Sequence, residues 1–295
     1  MRFLIAIKDT SKESKNILDF GMTIASAFNS DISVIYVGWK VRGLNEKDIS
    51  LTRDALAEWD IFHPGVEVLE WAFNTLKELG FLGDDKLKFY PKNLIEEKDR
   101  FRMVLPQMSG NKIRLILREG VLLQELKKET EYRNYELAII GYTDKKRITR
   151  KLIQFLDTSI FIVNNLQPSK NYKLLLCVDD SAATKRAVIF GAKISSQFGS
   201  HIKAITVSKT GKFNKGYKNA SRWTEKYLSM KKITFESKML TGNPVDVIIG
   251  ESGTNHLVIM GKSEKNELLK YFFSSKPIKT VLKADCPVLV VKNNP

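Results

Sequence analysis

The sequence predicts an α/β protein of two tandem domains, each a five-stranded parallel sheet with helices on both faces. Three observations carry that expectation. A stretch of 34 residues occurs twice without a gap, as LIAIKDTSKESKNILDFGMTIASAFNSDISVIYV at 4–37 and as LLLCVDDSAATKRAVIFGAKISSQFGSHIKAITV at 174–207. At a constant offset of 170, Asp9 falls on Asp179, Ser11 on Ser181, Gly21 on Gly191, Phe28 on Phe198 and Val37 on Val207. Each copy reads strand, helix, strand, and a crossover of that length implies parallel pairing in a right-handed unit. The later segments match as well, LAIIG at 137–141 with LVIMG at 257–261 and IFIV at 160–163 with VLVV at 288–291. A repeat this long is a duplicated domain rather than a solenoid unit.

Taken in order, 4–7 and 174–178 are buried-strand runs. The helix after the second run places Ala187, Val188, Phe190, Ile194 and Phe198 at helical spacing, and Gly199-Ser200 ends it. Second strands follow at 32–37 and 202–207, and third strands at 113–117 and 233–238. Gly120 and Gly242 then each open a helix leading to the fourth strand. The polar stretch NNLQPSKNY at 164–172 reads as the linker, which divides the chain into 1–166 and 170–295. From Val37 to Gly120 is 83 positions, against 35 from Val207 to Gly242, so the first domain carries an insertion at about 45–110. Within it, 50–79 has helical patterning with Trp59, Val68, Trp71 and Leu76, and FRMVLP-QMSGN-KIRLIL suggests a hairpin around Ser109-Gly110-Asn111. Such a decoration covers an edge, builds an interface or lids a site, and an interface or lid is the expectation.

Composition narrows the class. Hydrophobic content of 43% with 27% charged residues is that of a soluble globular chain. No apolar run approaches the ~18 residues of a spanning helix, and no secretory signal is read at the strand-like start RFLIAI. Cys177 and Cys286, with scattered His63, His201 and His256, imply a reduced cytoplasmic protein without structural metal. Charge is lopsided. Residues 169–295 hold 22 Lys and Arg against nine Asp and Glu, while 1–168 hold 26 against 24. Only Arg186 and Arg222 of those 22 are Arg, so the basic half presents point charges more than bidentate forks.

Asp179 and Asp9 end the first strand of each repeat, where the ligand crevice of an α/β sheet lies; each is equally a candidate helix cap. Gly261 ends the fourth strand in MGKSEKNELLKYFFSSKPIKTVL, and glycine with Lys262, Ser263, Ser274 and Ser275 suits phosphate oxygens. GKS is not the tail of a P-loop, because His256 stands where that motif needs its first glycine.

The order of these motifs resembles the universal stress protein family in tandem form. The resemblance rests on VDDS at 178–181, AITV at 204–207, the TGNP, VIIGES and LVIMG series at 241–261, and ADCPVLVVK at 284–292. It covers nearly the whole chain apart from the insertion. It implies two Rossmann-like, adenine nucleotide alpha hydrolase-like domains in a regulatory stress-response protein, with ATP or another adenine nucleotide as ligand. Asp179 would meet ribose or adenine, Val207 would contact adenine through its main chain, and Gly261, Lys262, Ser263, Ser274 and Ser275 would face phosphate. ATP-binding relatives place a second glycine three positions on and a Gly-Ser or Gly-Thr pair after nine more residues. Here those positions hold Glu264 and Ser274-Ser275. From Gly141 to Val163 is eight residues shorter than from Gly261 to Val291, so a nucleotide site is expected only in the second domain. Neither HxGH nor SGGxDS nor GxGxxG occurs, which points away from an enzyme, slow ATP hydrolysis aside.

Two alternatives remain open from the sequence. One is a protein-interaction module that has lost nucleotide, with homo-oligomers formed through the last strands or the insertion. The other is an anion or nucleic-acid binder using Lys209, Lys212, Lys215, Lys218, Arg222, Lys226, Lys231 and Lys232, interleaved with Phe213, Tyr217, Trp223 and Tyr227. No membrane partner is expected. The two sheets are expected to face each other as an intrachain dimer, with the last strands near the interface.

Overall fold

The computed structural model describes residues 1–38, 64–84, 86–142, 146–167, 171–262 and 276–293. The first half contains β1 (Arg2–Ile7), α1 (Lys12–Ser26), β2 (Asp31–Gly38), α2 (Pro64–Glu78), β3 (Ile95–Glu97), β4 (Arg100–Pro106) and β5 (Lys112–Glu119). It continues with α3 (Leu122–Tyr132), β6 (Leu137–Gly141), α4 (Lys146–Phe155) and β7 (Ser159–Val163). The second half contains β8 (Lys173–Cys177), α5 (Ala182–Phe198), β9 (Ile202–Ser208), α6 (Lys215–Met230) and β10 (Phe235–Thr241). It closes with α7 (Pro244–Ser252), β11 (His256–Gly261), α8 (Lys276–Lys283) and β12 (Val288–Val291). Local chemistry sets the helix starts: Ser11 accepts from Ser14 N at 3.3 Å, Asn214 from Tyr217 N at 3.0 Å, and Asn243 from Val245 N at 3.1 Å. Gly199, at φ 60°, supplies the left-handed residue that ends α5.

All strands join one sheet in the order β10-β9-β8-β11-β12-β7-β6-β1-β2-β5-β4-β3. Each half contributes five parallel strands, as the repeat predicts, and β7 pairs antiparallel with β12 through Ile160–Val290, Phe161–Leu289 and Ile162–Val288. The expectation that the two sheets face each other is therefore corrected: they join edge to edge. Every residue of β7 and β12 is buried, and an unpaired edge there would leave amides and carbonyls without partners. Because each strand uses its free edge on the other, neither offers an edge to a second copy.

Two further expectations shift. The third strand of the second half runs over Phe235–Thr241 rather than 233–238. In the insertion, 39–63 lies outside the described residues; α2 and the β4–β5 hairpin are present, with Gly110 in its turn at φ 84°. β4 and β3 lengthen the sheet beyond β5, so this part of the insertion covers an edge rather than lidding the opposite face.

Helices cover both faces. Leu18 of α1, Leu69 of α2, Phe190 of α5 and Leu228 of α6 share one buried cluster. Leu126 of α3, Leu152 of α4, Ile248 of α7 and Ile278 of α8 share the other. Both clusters run across the seam. There α1 meets α5 through two ring pairs, Phe28–Phe190 at 4.9 Å and Phe20–Phe198 at 6.4 Å. The 170-residue offset converts one pair into the other, the self-complementary pattern of a two-fold interface. Polar links follow the same seam: Arg186 with Glu136, Lys292 Nζ with Leu156 O, and Asn164 Nδ2 to Ala284 O at 2.7 Å.

The edge extension is held by buried charge. Glu129, 0% exposed, accepts from Arg100 NH1 at 2.7 and 2.8 Å, from Arg118 Nε at 3.0 Å and from the Tyr135 hydroxyl at 2.9 Å. At the rim, hydrogen bonds from Arg100 and then Tyr132 hold the Glu97 carboxyl down to about 2. Burial would raise Asp99, but donation from Lys128 and Arg118 outweighs it and brings that carboxyl to about 2 as well. Both folded values lie below the unfolded ones, so the stabilisation is complete above about pH 4.5 and is lost as pH falls towards 2. The urea midpoint is expected to drop across that window, and a Glu97→Gln, Asp99→Asn variant to show a shallower drop; equal slopes would contradict the assignment.

Candidate functional site

The strand ends carry the site. Met260 of β11 and Ile205 of β9 both lie level with Cys177 of β8, and Val178 N donates to Ile205 O at 2.8 Å. Asp179, Val207 and Gly261 therefore finish along one edge of the sheet, where α/β ligands bind. The topology brings these three sequence-predicted residues together. Ser263, Ser274 and Ser275 lie outside the described residues.

Asp179 serves first as a turn-former. Its Oδ1 accepts from Ser181 N at 3.0 Å and from Thr184 Oγ1 at 2.6 Å, tying β8 to the start of α5. Asp9 does the same in the first half, with Ser11 N at 3.0 Å and Ser14 Oγ at 2.7 Å. The Asp179 turn uses Oδ1 alone, and Oδ2 carries no hydrogen bond among the described residues.

A cleft of about 320 Å³ opens beside that carboxylate, between the β8–α5 turn and α6. The turn supplies Asp179, Asp180 and Lys185; α6 supplies Gly216, Asn219 and Trp223. Gly216 allows α6 to approach, since a Cβ there would lie 3.0 Å from Asp180 Cβ. The Lys185 ammonium sits 5.6 Å from the Trp223 ring centroid. Burial, then the Asp180 and Asp179 charges, raise the nearby Tyr217 hydroxyl above its ordinary range. The sequence sets Trp223 only among the aromatics interleaved with basic residues and does not single out Lys185 or Asn219; the usable signal was Gly216, a glycine in the first turn of a helix.

The two halves diverge here. Lys15, the equivalent of Lys185, forms an ion pair with Glu78 of α2 at 2.8 Å, which fastens that turn to the helix in the place of α6. Lys185 has no carboxylate partner among the described residues. Among the described residues the second half thus keeps a cation without a carboxylate partner and a carboxylate oxygen without a hydrogen bond beside an indole, groups suited to a polar ring carrying hydroxyl or amino donors.

The remaining predicted residues are placed differently. The Val207 side chain is buried with Ile205 and Ile248 on the opposite face of the sheet from Trp223, leaving its main chain at the edge. Gly261 is buried against α5, and a Cβ there would lie 3.0 Å from Ala183 C and 3.1 Å from Thr184 N. Its glycine therefore has a packing cause independent of phosphate. Gly261→Ala is expected to cost about 1–3 kcal/mol through overpacking, read as a lower urea midpoint without ligand; an unchanged midpoint would refute this. Lys262 Nζ reaches Ile153 O of α4 at 3.5 Å, so its ammonium lies at the seam between the halves. Among the described residues no group of three or more His, Cys, Asp or Glu is arranged to hold a metal, and no helix is long and apolar enough to cross a membrane.

Residues 171–292 match the model of the universal stress protein family. The fold of the whole chain is similar to that of a universal stress protein from Archaeoglobus fulgidus DSM 4304, with TM-score 0.62 and 15% identity over 99% of this chain and 96% of that one. It is also similar to a functionally unknown protein from Pseudomonas aeruginosa PAO1, with TM-score 0.59 and 13% identity over 99% and 92%. No curated protein matches the sequence.

Proposed function

We propose that the chain, whose residues 171–292 match the model of the universal stress protein family, is a regulatory stress-response protein of two such units, 1–166 and 170–295, in which only the second binds an adenine nucleotide. The observation that carries this reading is the open Asp179–Trp223 cleft, set against the surface Lys15–Glu78 ion pair at the equivalent turn of the first half. In it Asp179 Oδ2 accepts from ribose or the adenine amino group, Trp223 and Lys185 border the ring, and the Val207 main chain completes the adenine edge. Gly261, Ser263, Ser274 and Ser275 take the phosphates, while the Lys262 ammonium stays at the seam with Ile153 O. The role proposed for the cleft is binding and signalling in the cytoplasm rather than turnover.

Calorimetric titration of ATP, ADP and AMP tests this. Saturable heat at about one site per chain is expected, weakened roughly tenfold or more in Asp179→Asn, consistent with losing a charged hydrogen bond. Asparagine retains an oxygen for Ser181 N and Thr184, so the melting temperature of the free variant should hold. Absence of heat and of thermal shift at millimolar nucleotide would sink the proposal.

A further inference from the structure

We propose that the outer face of α6 is a docking surface for the phosphate backbone of nucleic acid. Its sixteen residues contain four cations, Lys215, Lys218, Arg222 and Lys226, spaced three, four and four apart, so all four fall on one stripe. Each is exposed, and none has a carboxylate partner among the described residues. The helix's one acid, Glu225, is engaged sideways, accepting from Ser221 Oγ at 3.1 Å and Ser237 Oγ at 2.7 Å. Exposed Lys209 and Lys212 precede the helix in sequence, and exposed Lys231 and Lys232 follow it. This contrasts with the first half, where Arg100, Arg102, Arg114, Arg118 and Lys128 are all spent on acids.

The geometry suits a strand of phosphates. Eleven residues of helix put the outer cations about 16 Å apart, the axial span of about five phosphates on one duplex strand. The stripe itself has no aromatic free for stacking: Tyr227 lies against Trp223 at 5.2 Å and 14°, and the indole otherwise faces the Asp179 cleft. Recognition is therefore electrostatic and independent of sequence. A lipid surface fits less well, because the stripe has no apolar row beside it; exposed Met230 stands alone at the helix end.

The test is fluorescence anisotropy of labelled 30-base-pair DNA and of single-stranded RNA with the full chain, titrated at several salt concentrations. Four contacts predict a slope of log K on log salt of about −3.6 for duplex, so binding weakens about a hundredfold from 50 to 200 mM salt. Lys215→Gln, Lys218→Gln, Arg222→Gln and Lys226→Gln together should remove most of that slope, glutamine being a comparable helix former. Removing four other charges, with Gln at Lys86, Lys88, Lys92 and Lys98, should preserve it. Asp179→Asn should leave it untouched, which separates this surface from the nucleotide cleft. No binding at 50 mM salt, equal loss in the two quadruple variants, or binding to phosphatidylserine vesicles but not to nucleic acid would overturn the proposal.

Discussion

Glu129→Ala is expected to lower the unfolding free energy by about 3–5 kcal/mol, the range for removing one partner of a buried ion pair. Glu129 is fully buried on α3 and is the shared acceptor for Arg100, Arg118 and Tyr135. Both arginines are 2% exposed. Without the carboxylate, Arg100 retains Glu97 at 2.9 Å, and Arg118 retains Asp99 at 2.9 Å and Glu125 at 3.5 Å. Glu97 and Asp99 lie on the β3–β4 side and Glu125 of α3 reaches Arg118 only at NH1, so Arg100 NH1 and Arg118 Nε lose the carboxylate they share. Glu129→Gln, which keeps volume and one acceptor, should cost less. Urea unfolding measures both, and a loss below about 1 kcal/mol in the alanine variant would mean that the network contributes little.

Phe161→Ala is expected to cost about 3–5 kcal/mol, the penalty of emptying a buried aromatic site. Phe161 lies on β7 opposite Leu289 of β12, is 0% exposed, and meets Phe20 edge-on at 5.2 Å and 71°. It therefore supports the strand pair and the α1–α5 contact together, and its loss falls on the seam rather than within one half. The unfolding curve should move to lower urea for probes in both halves. A shift confined to first-half probes would show that the halves unfold independently.

Much of this fold was legible in the sequence because duplication doubles every signal. The parallel order of each half follows from the repeated strand–helix–strand pattern, whereas the caps fall on Ser11 and Asn243 and not on Asp9. Even the ring pairs of the seam were latent in the offset that maps Phe20 to Phe190 and Phe28 to Phe198. The edge-to-edge joint was not legible. A strand buried on both faces reads the same whether its free edge meets a strand or a covering layer, so β7 and β12 gave no sign of pairing. The site was half legible. Strand ends pointed to Asp179 and Gly261, the family resemblance added Val207, and the topology sets all three along one edge of the sheet. The cleft wall was hidden because Lys185 and Asn219 look like ordinary exposed helix residues until α6 closes on α5. Gly261 shows the converse limit, a glycine that fits a phosphate motif yet has a sufficient cause in the approach of Ala183.

The crystal structure of the full chain grown with ADP tests the central claim most directly. The account predicts one nucleotide per chain, its adenosine between Asp179 and Trp223, with the Asp9 turn empty and Lys15 still paired with Glu78. Nucleotide at the Asp9 turn, or well-ordered protein with an empty Asp179 cleft at saturating ADP, would contradict it.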